Sequence, residues 1–132
     1  MNGAQYGRAG FGTSIDPNLN ALLYDPSKPV TQRISILDST IVARLYHSEA
    51  TLLPDGRVLI SGSNPGTYPD GSHPYPEEFR IEVYVPPYLT QGFKQPQFVI
   101  TETDWELGGQ YTIEVTLYQG ATNTMRVSLI AG

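Results

Sequence analysis

An all-β chain with two different β architectures is what this sequence predicts, and three observations carry the prediction. The first is composition: 132 residues hold 13 Gly, 11 Pro and 9 Tyr. That is the balance of a turn-rich, aromatic β protein in which helix signals are nearly absent. The second is an internal repeat of about 60 residues, and the third is a change of character beyond the proline-rich segment "VPPYLTQGFKQPQ".

The repeat pairs "NGAQ…LNALLYDP" with "SGSNP…EFRIEVYVPP". Gly3 and Gly62 lie 59 apart, while Tyr24 and Tyr84, and Pro26 and Pro86, lie 60 apart. Each unit runs from a glycine-terminated strand through a Gly- and Pro-rich loop to a strand ending in Tyr-x-Pro. A period somewhat above the ~50 of kelch units fits propeller blades with long loops. Strands are expected over 22–24, 33–37 and 79–85. Between them "YHSEATLL" has the length of one strand, with Ser48, Ala50 and Leu52 on one face and Glu49, Thr51 and Leu53 on the other. "PDGR" then supplies a turn, since proline presets φ, aspartate bonds its own backbone and glycine takes the left-handed position. "VLISG" returns as a short apolar run suited to an inner strand.

Pro86, Pro87 and Pro96 mark a segment that cannot be a central strand, because proline lacks the ladder donor. Beyond it "QFVIT", "GGQYTIEVTLY", with its Gly108–Gly109 turn, and "TMRVSLIAG" read as three strands of an immunoglobulin-like sandwich that needs about seven. Two domains are therefore expected: residues 1–90, the last blades of a partial propeller, and residues 91–132, the start of a sandwich. The chain is expected to be a piece of a longer polypeptide.

A net charge of −5 argues against nucleic acid, whose phosphates call for a basic face. No apolar run approaches the roughly 18 residues of a membrane span, and no basic-then-apolar leader opens the chain. With no cysteine, disulfides, zinc ribbons and thiol chemistry are excluded.

The one chemically pointed feature is Tyr46 beside His47, a phenol and an imidazole ahead of an apolar run. Both residue types ligate metals, and both are as readily structural. His73 sits in a Pro- and Gly-rich loop and reads as solvent-facing. Asp70, Glu77 and Glu78 lack the Asp-x-Asp spacing of a calcium loop and read as solvated. Trp105 reads as half-buried at a sandwich turn, and Tyr75, Tyr84 and Tyr88 as packing at the junction of the two domains. The glycines of "GRAGFG" precede no amphipathic helix, so a dinucleotide or phosphate-loop reading fails.

"RLYHSEATLLPDGRVLISGSNP" followed by "EFRIEVYVPPYL" resembles the copper radical oxidases of the galactose oxidase and glyoxal oxidase family. "NGAQYGRAGFG", "ALLYDP" and "LIAG" follow the glyoxal oxidase branch in the same order, so the resemblance spans essentially the whole chain. It implies a seven-bladed kelch propeller with a C-terminal early-set, immunoglobulin-like domain. It also implies Cu(II), with Tyr46 as axial ligand and general base, His47 as an equatorial ligand, and Phe11 as a substrate-pocket aromatic. The resemblance further implies a secreted enzyme that oxidises small aldehydes to carboxylic acids and reduces O₂ to hydrogen peroxide. Two parts of that apparatus are missing here: the Tyr-Cys radical cofactor, which needs a cysteine, and a second histidine ligand expected just beyond Gly132. Single-electron copper cannot complete a two-electron oxidation without the radical, so the chain alone is expected to be inactive. Its partners would be a small aldehyde, O₂ and the remainder of its own propeller and sandwich. The alternatives are a non-catalytic propeller relative that kept the scaffold, and a galactose oxidase-like alcohol oxidase.

Overall fold

The computed structural model describes residues 3–129 and divides into two compact units that meet between Val85 and Pro86. In the first unit, β1 (Ala4–Gly7) and β2 (Ser14–Pro17) form an antiparallel hairpin with Tyr6 opposite Ile15. β3 (Asn20–Tyr24) and β4 (Ile34–Ser39) form a second hairpin, bulged between Asn20 and Leu22. β5 (Ser48–Leu52), β6 (Val58–Gly62) and β7 (Glu82–Tyr84) form a three-stranded antiparallel sheet with β6 in the middle.

The β5–β6 turn forms as its residues dictate. The Leu53 N–H donates to the Arg57 carbonyl at 2.8 Å and the Gly56 N–H to the Leu53 carbonyl at 2.9 Å. Asp55 accepts from the Arg57 N–H at 3.1 Å, the side-chain mimic of a turn that aspartate favours. The inner position expected for "VLISG" holds: β6 is the central strand, and its Ile60 is 5% exposed.

Three expectations about the first unit need correction. The strand expected over 46–53 begins only at Ser48, because His47 takes a left-handed backbone (φ +57°) that cannot continue a ladder. The strand expected over 79–85 shrinks to Glu82–Tyr84. Upstream of it, Glu78 takes the Arg80 N–H at 2.8 Å, so that donor is withdrawn from the sheet. The repeat is visible, since Tyr24 and Tyr84 each close a strand, but the pairing differs: β3 pairs with the strand after it and β7 with the strand before it.

The second unit opens on one helical turn, α1 (Pro87–Thr90), in a segment where no helix was expected. Proline at N1 is compatible with it, because that N–H has no intrahelical partner. β8 (Gln97–Ile100) pairs with β9 (Ile113–Thr116), Phe98 facing Val115 across the ladder. The third sandwich strand does not form among the described residues. Thr122–Thr124 is a 3-10 turn, and the Met125 N–H returns to the Thr122 carbonyl at 3.2 Å instead of reaching a neighbouring strand. The rest of that expected strand, residues 130–132, lies outside the described residues.

Buried hydrophobic side chains of the first unit are few: Ala21, Val42, Leu45, Ile60 and Tyr68. The sheets are small and antiparallel, and none closes into a barrel or propeller among the described residues. No helix among them is long and apolar enough to cross a membrane.

Candidate metal centre at the Tyr46–His47 turn

Tyr46 and His47 form the turn that feeds β5. Their rings stack, with centroids 3.9 Å apart and planes inclined by 27°. Phe11, from the β1–β2 loop, approaches both edge-on, 5.3 Å from Tyr46 and 5.0 Å from His47. The three residues singled out from sequence, 36 positions apart at the extremes, therefore share one small aromatic cluster. Edge-to-face geometry is favoured by the ring quadrupoles, so Phe11 braces the pair rather than merely lying near it.

The backbone explains how an exposed cluster is held. The Leu45 N–H donates to Ser63 Oγ at 2.9 Å, and the Asn64 N–H donates to the Tyr46 carbonyl at 2.9 Å. Gly62, at φ +72°, faces the same turn, and a Cβ added there would stand 2.6 Å from the His47 carbonyl oxygen. Phe11 is seated from the other side. The Gly12 N–H donates to the carbonyl of fully buried Pro65 at 2.6 Å. A Cβ on Gly66 would collide with the Phe11 ring, standing 3.1 Å from both its Cβ and Cγ. Tyr68 anchors this loop by donating its hydroxyl to the Ser14 carbonyl at 2.5 Å, and burial pushes its phenol pKa up.

Behind the turn lies Arg44, whose side chain is 0% exposed. Its guanidinium donates to Glu82 Oε2 at 3.0 Å, to the Gly62 carbonyl at 2.6 Å and to the Arg80 carbonyl at 2.9 Å. Thr40 donates to the other Glu82 oxygen. Sequence reading passed over this residue, although a cation in the apolar run "IVARLY" is a signal that a buried partner exists.

A cavity of about 260 Å³ lies against Tyr46, lined by Gly3, Gly7, Arg8, Ser14 and Leu45 among others, and Arg8 brings a cation to its wall. A smaller cavity of about 160 Å³ elsewhere takes carboxylates from Asp38 and Glu82 but no imidazole.

The remaining candidates stay apart from the cluster. His73 stands 3.7 Å from Glu77 on the surface, Asp70 accepts from the Ser72 N–H at 2.9 Å, and Glu78 pairs with Arg80 at 2.5 Å. Trp105 stacks on Tyr111 at 5.0 Å and donates its ring N–H to the Glu102 carbonyl at 2.6 Å. Tyr75 and Tyr84 are half-buried and belong to the first unit, whereas Tyr88 is exposed in the second. Among the described residues no group of three His, Cys, Asp or Glu side chains could hold a metal. The phenol and imidazole at the turn fit copper by donor type, and they are two donors where a closed site takes three or four.

The chain is an all-β scaffold that holds a phenol and an imidazole side by side near a small cavity. Its family is narrower than that class. The model for the glyoxal oxidase N-terminus matches residues 1–88, and the chain belongs to the glyoxal oxidase family. It is 50% identical over 130 residues to a WSC domain-containing protein of Arthroderma benhamiae, covering 98% of this chain and 13% of that protein. It is 36% identical to aldehyde oxidase GLOX1 of Arabidopsis thaliana (99% of this chain, 22% of that protein) and 39% identical to aldehyde oxidase GLOX of Vitis pseudoreticulata (98% and 25%). The chain thus spans between about an eighth and a quarter of the length of these relatives. No solved structure shows significant similarity to it.

Proposed function

We propose that this chain carries part of the active site of a glyoxal oxidase-like copper radical oxidase, an enzyme that turns aldehydes into carboxylic acids while O₂ becomes hydrogen peroxide. The observation that carries the reading is the convergence of Tyr46, His47 and Phe11 into one cluster in a chain of the glyoxal oxidase family. Two relatives named aldehyde oxidases support the reaction class.

In this reading Tyr46 Oη and a His47 ring nitrogen hold Cu(II), and the remainder of a longer protein supplies the other donors and the Tyr-Cys radical. Copper and the radical, when bound, would supply the one-electron redox chemistry that a two-electron oxidation needs. The Tyr46 phenolate accepts the proton that the substrate gives up, so the base is held at a fixed place beside the cavity. Phe11, edge-on to both rings, is the substrate-pocket aromatic of this reading. The architecture proposed with this activity is a kelch propeller whose last blades contribute residues 1–90 and an early-set domain that begins at 91–132. Secretion, and a small aldehyde, O₂ and the remainder of the propeller and sandwich as partners, belong to the same proposal.

The test is a peroxidase-coupled assay with glyoxal and methylglyoxal. The full-length protein should release peroxide and this chain alone should release none. Tyr46→Phe should leave copper bound and lower kcat by about 10²–10⁴-fold, the usual worth of a positioned base. His47→Ala should lower copper content and activity together. Unchanged turnover in Tyr46→Phe, or peroxide from the chain alone, overturns the assignment.

A further inference from the structure

We propose that Arg44 is a positioning residue: its guanidinium sets the Tyr46–His47 turn in the one conformation that stacks the two rings under Phe11. The inference rests on reading Tyr46 and His47 as the functional pair, and it adds a residue with no donor role of its own.

Three observations converge on it. Arg44 is wholly buried, yet it sits two residues before Tyr46 and three before His47. A buried cation needs its hydrogen bonds met, and those of Arg44 go to Glu82 on β7, the Arg80 carbonyl and the Gly62 carbonyl at the end of β6. The Gly62 contact matters most. Gly62 is the residue pressed against the His47 carbonyl, and the peptides that follow it hold the turn through Ser63 Oγ and the Asn64 N–H.

The second observation is strain. His47 (φ +57°), Gly62 (φ +72°) and Ser63 (φ +147°) all take positive φ and all lie at this turn. Non-glycine residues persist there only where the surroundings over-determine them. The third is redundancy on the Glu82 side. Thr40 holds one carboxylate oxygen and Arg44 the other, so Glu82 is fixed as an acceptor rather than free to follow the arginine. A planar fork that reaches Glu82 and two carbonyls at once is a guanidinium property that an ammonium cannot copy. The chain therefore reads as a rigid lever: β7 and β6 fix Arg44, and Arg44 fixes the backbone from which both candidate ligands project.

The test avoids copper, so that its failure is distinct from failure of the oxidase reading. Full-length, metal-free protein is labelled with ¹³C-histidine, and the His47 ring signal is assigned by its loss in His47→Asn. Stacking under Tyr46 should shift the His47 ring protons upfield of surface histidines. In Arg44→Met that upfield shift should be lost while the other histidine signals stay in place, and Arg44→Lys should not restore it. Arg80→Met, which breaks the exposed Arg80–Glu78 pair, should leave the shift intact. If Arg44→Met does not fold, Glu82→Gln and Thr40→Val decide: loss of the shift in either supports the lever, and retention in both overturns it. A wild-type His47 signal in folded Arg44→Met or in Arg44→Lys, or loss of the signal in Arg80→Met, also overturns it.

Discussion

A single torsion angle at His47 separates a strand entrance from an aromatic turn. With φ at +57° the residue leaves the β5 ladder and turns its imidazole over the Tyr46 ring. An alternating strand would have sent neighbouring side chains to opposite faces. Gly62 makes that turn possible, because its own left-handed backbone lets the His47 carbonyl approach within 2.6 Å of where a Cβ would stand. Gly62→Ala should therefore lower stability by about 1–3 kcal/mol, the cost of forcing a strained backbone conformation. Urea denaturation reads this directly, and an unchanged midpoint would contradict the close approach. None of this was legible in the sequence. The Tyr-His pair was visible as a pair of donor types, and Phe11 was reached through family resemblance alone. That the three meet depends on Pro65, Gly66 and Tyr68, which sit more than 50 residues from Phe11.

At the scale of elements, the β5–β6 hairpin is the best-determined piece because its turn chemistry and strand pattern agree. β7 shows the opposite case. Its expected N-terminal half gives way to a local arrangement in which Glu78 accepts from both the side chain and the N–H of Arg80. Those bonds, the side-chain ones first, hold the Glu78 carboxyl down from 4.5 to about 2. Because the folded value is depressed, the associated stability is fully present above pH 4.5 and fades as pH falls toward 2. Thermal melts of wild type and Glu78→Gln should differ above pH 4.5 and converge near pH 2. A difference that persists undiminished at pH 2 would show that the carboxylate charge is not its source. That the expected third strand does not form among the described residues of the second unit has a related cause: alternation marks a segment fit to be a strand, and only a neighbour with open donors and acceptors makes it one.

Among the described residues much apolar surface lies open. Ile41 is 92% exposed and Phe79 87%, while β8 is exposed along its full length. Two- and three-stranded sheets with open edges are templates for pairing with other chains, and apolar surface on this scale marks a face meant to be covered. The isolated 132-residue chain should accordingly bind an apolar dye such as ANS and form concentration-dependent oligomers in sedimentation velocity. A dye-silent monomer at high concentration would show that the exposed faces need no cover.

The sequence by itself determined the all-β class, the hairpin at "LLPDGR", the break at the prolines and, through its motif pattern, the glyoxal oxidase family. Those features depend on residues close in the chain, where turn preferences, alternation and the missing proline N–H act locally. Only the tertiary structure decided that Phe11 meets Tyr46 and His47 edge-on, that Arg44 is buried behind them, and which alternating segments become strands. Each of those outcomes needs a partner dozens of residues away, and a residue's own chemistry names the kind of partner it requires without saying where the fold will place it.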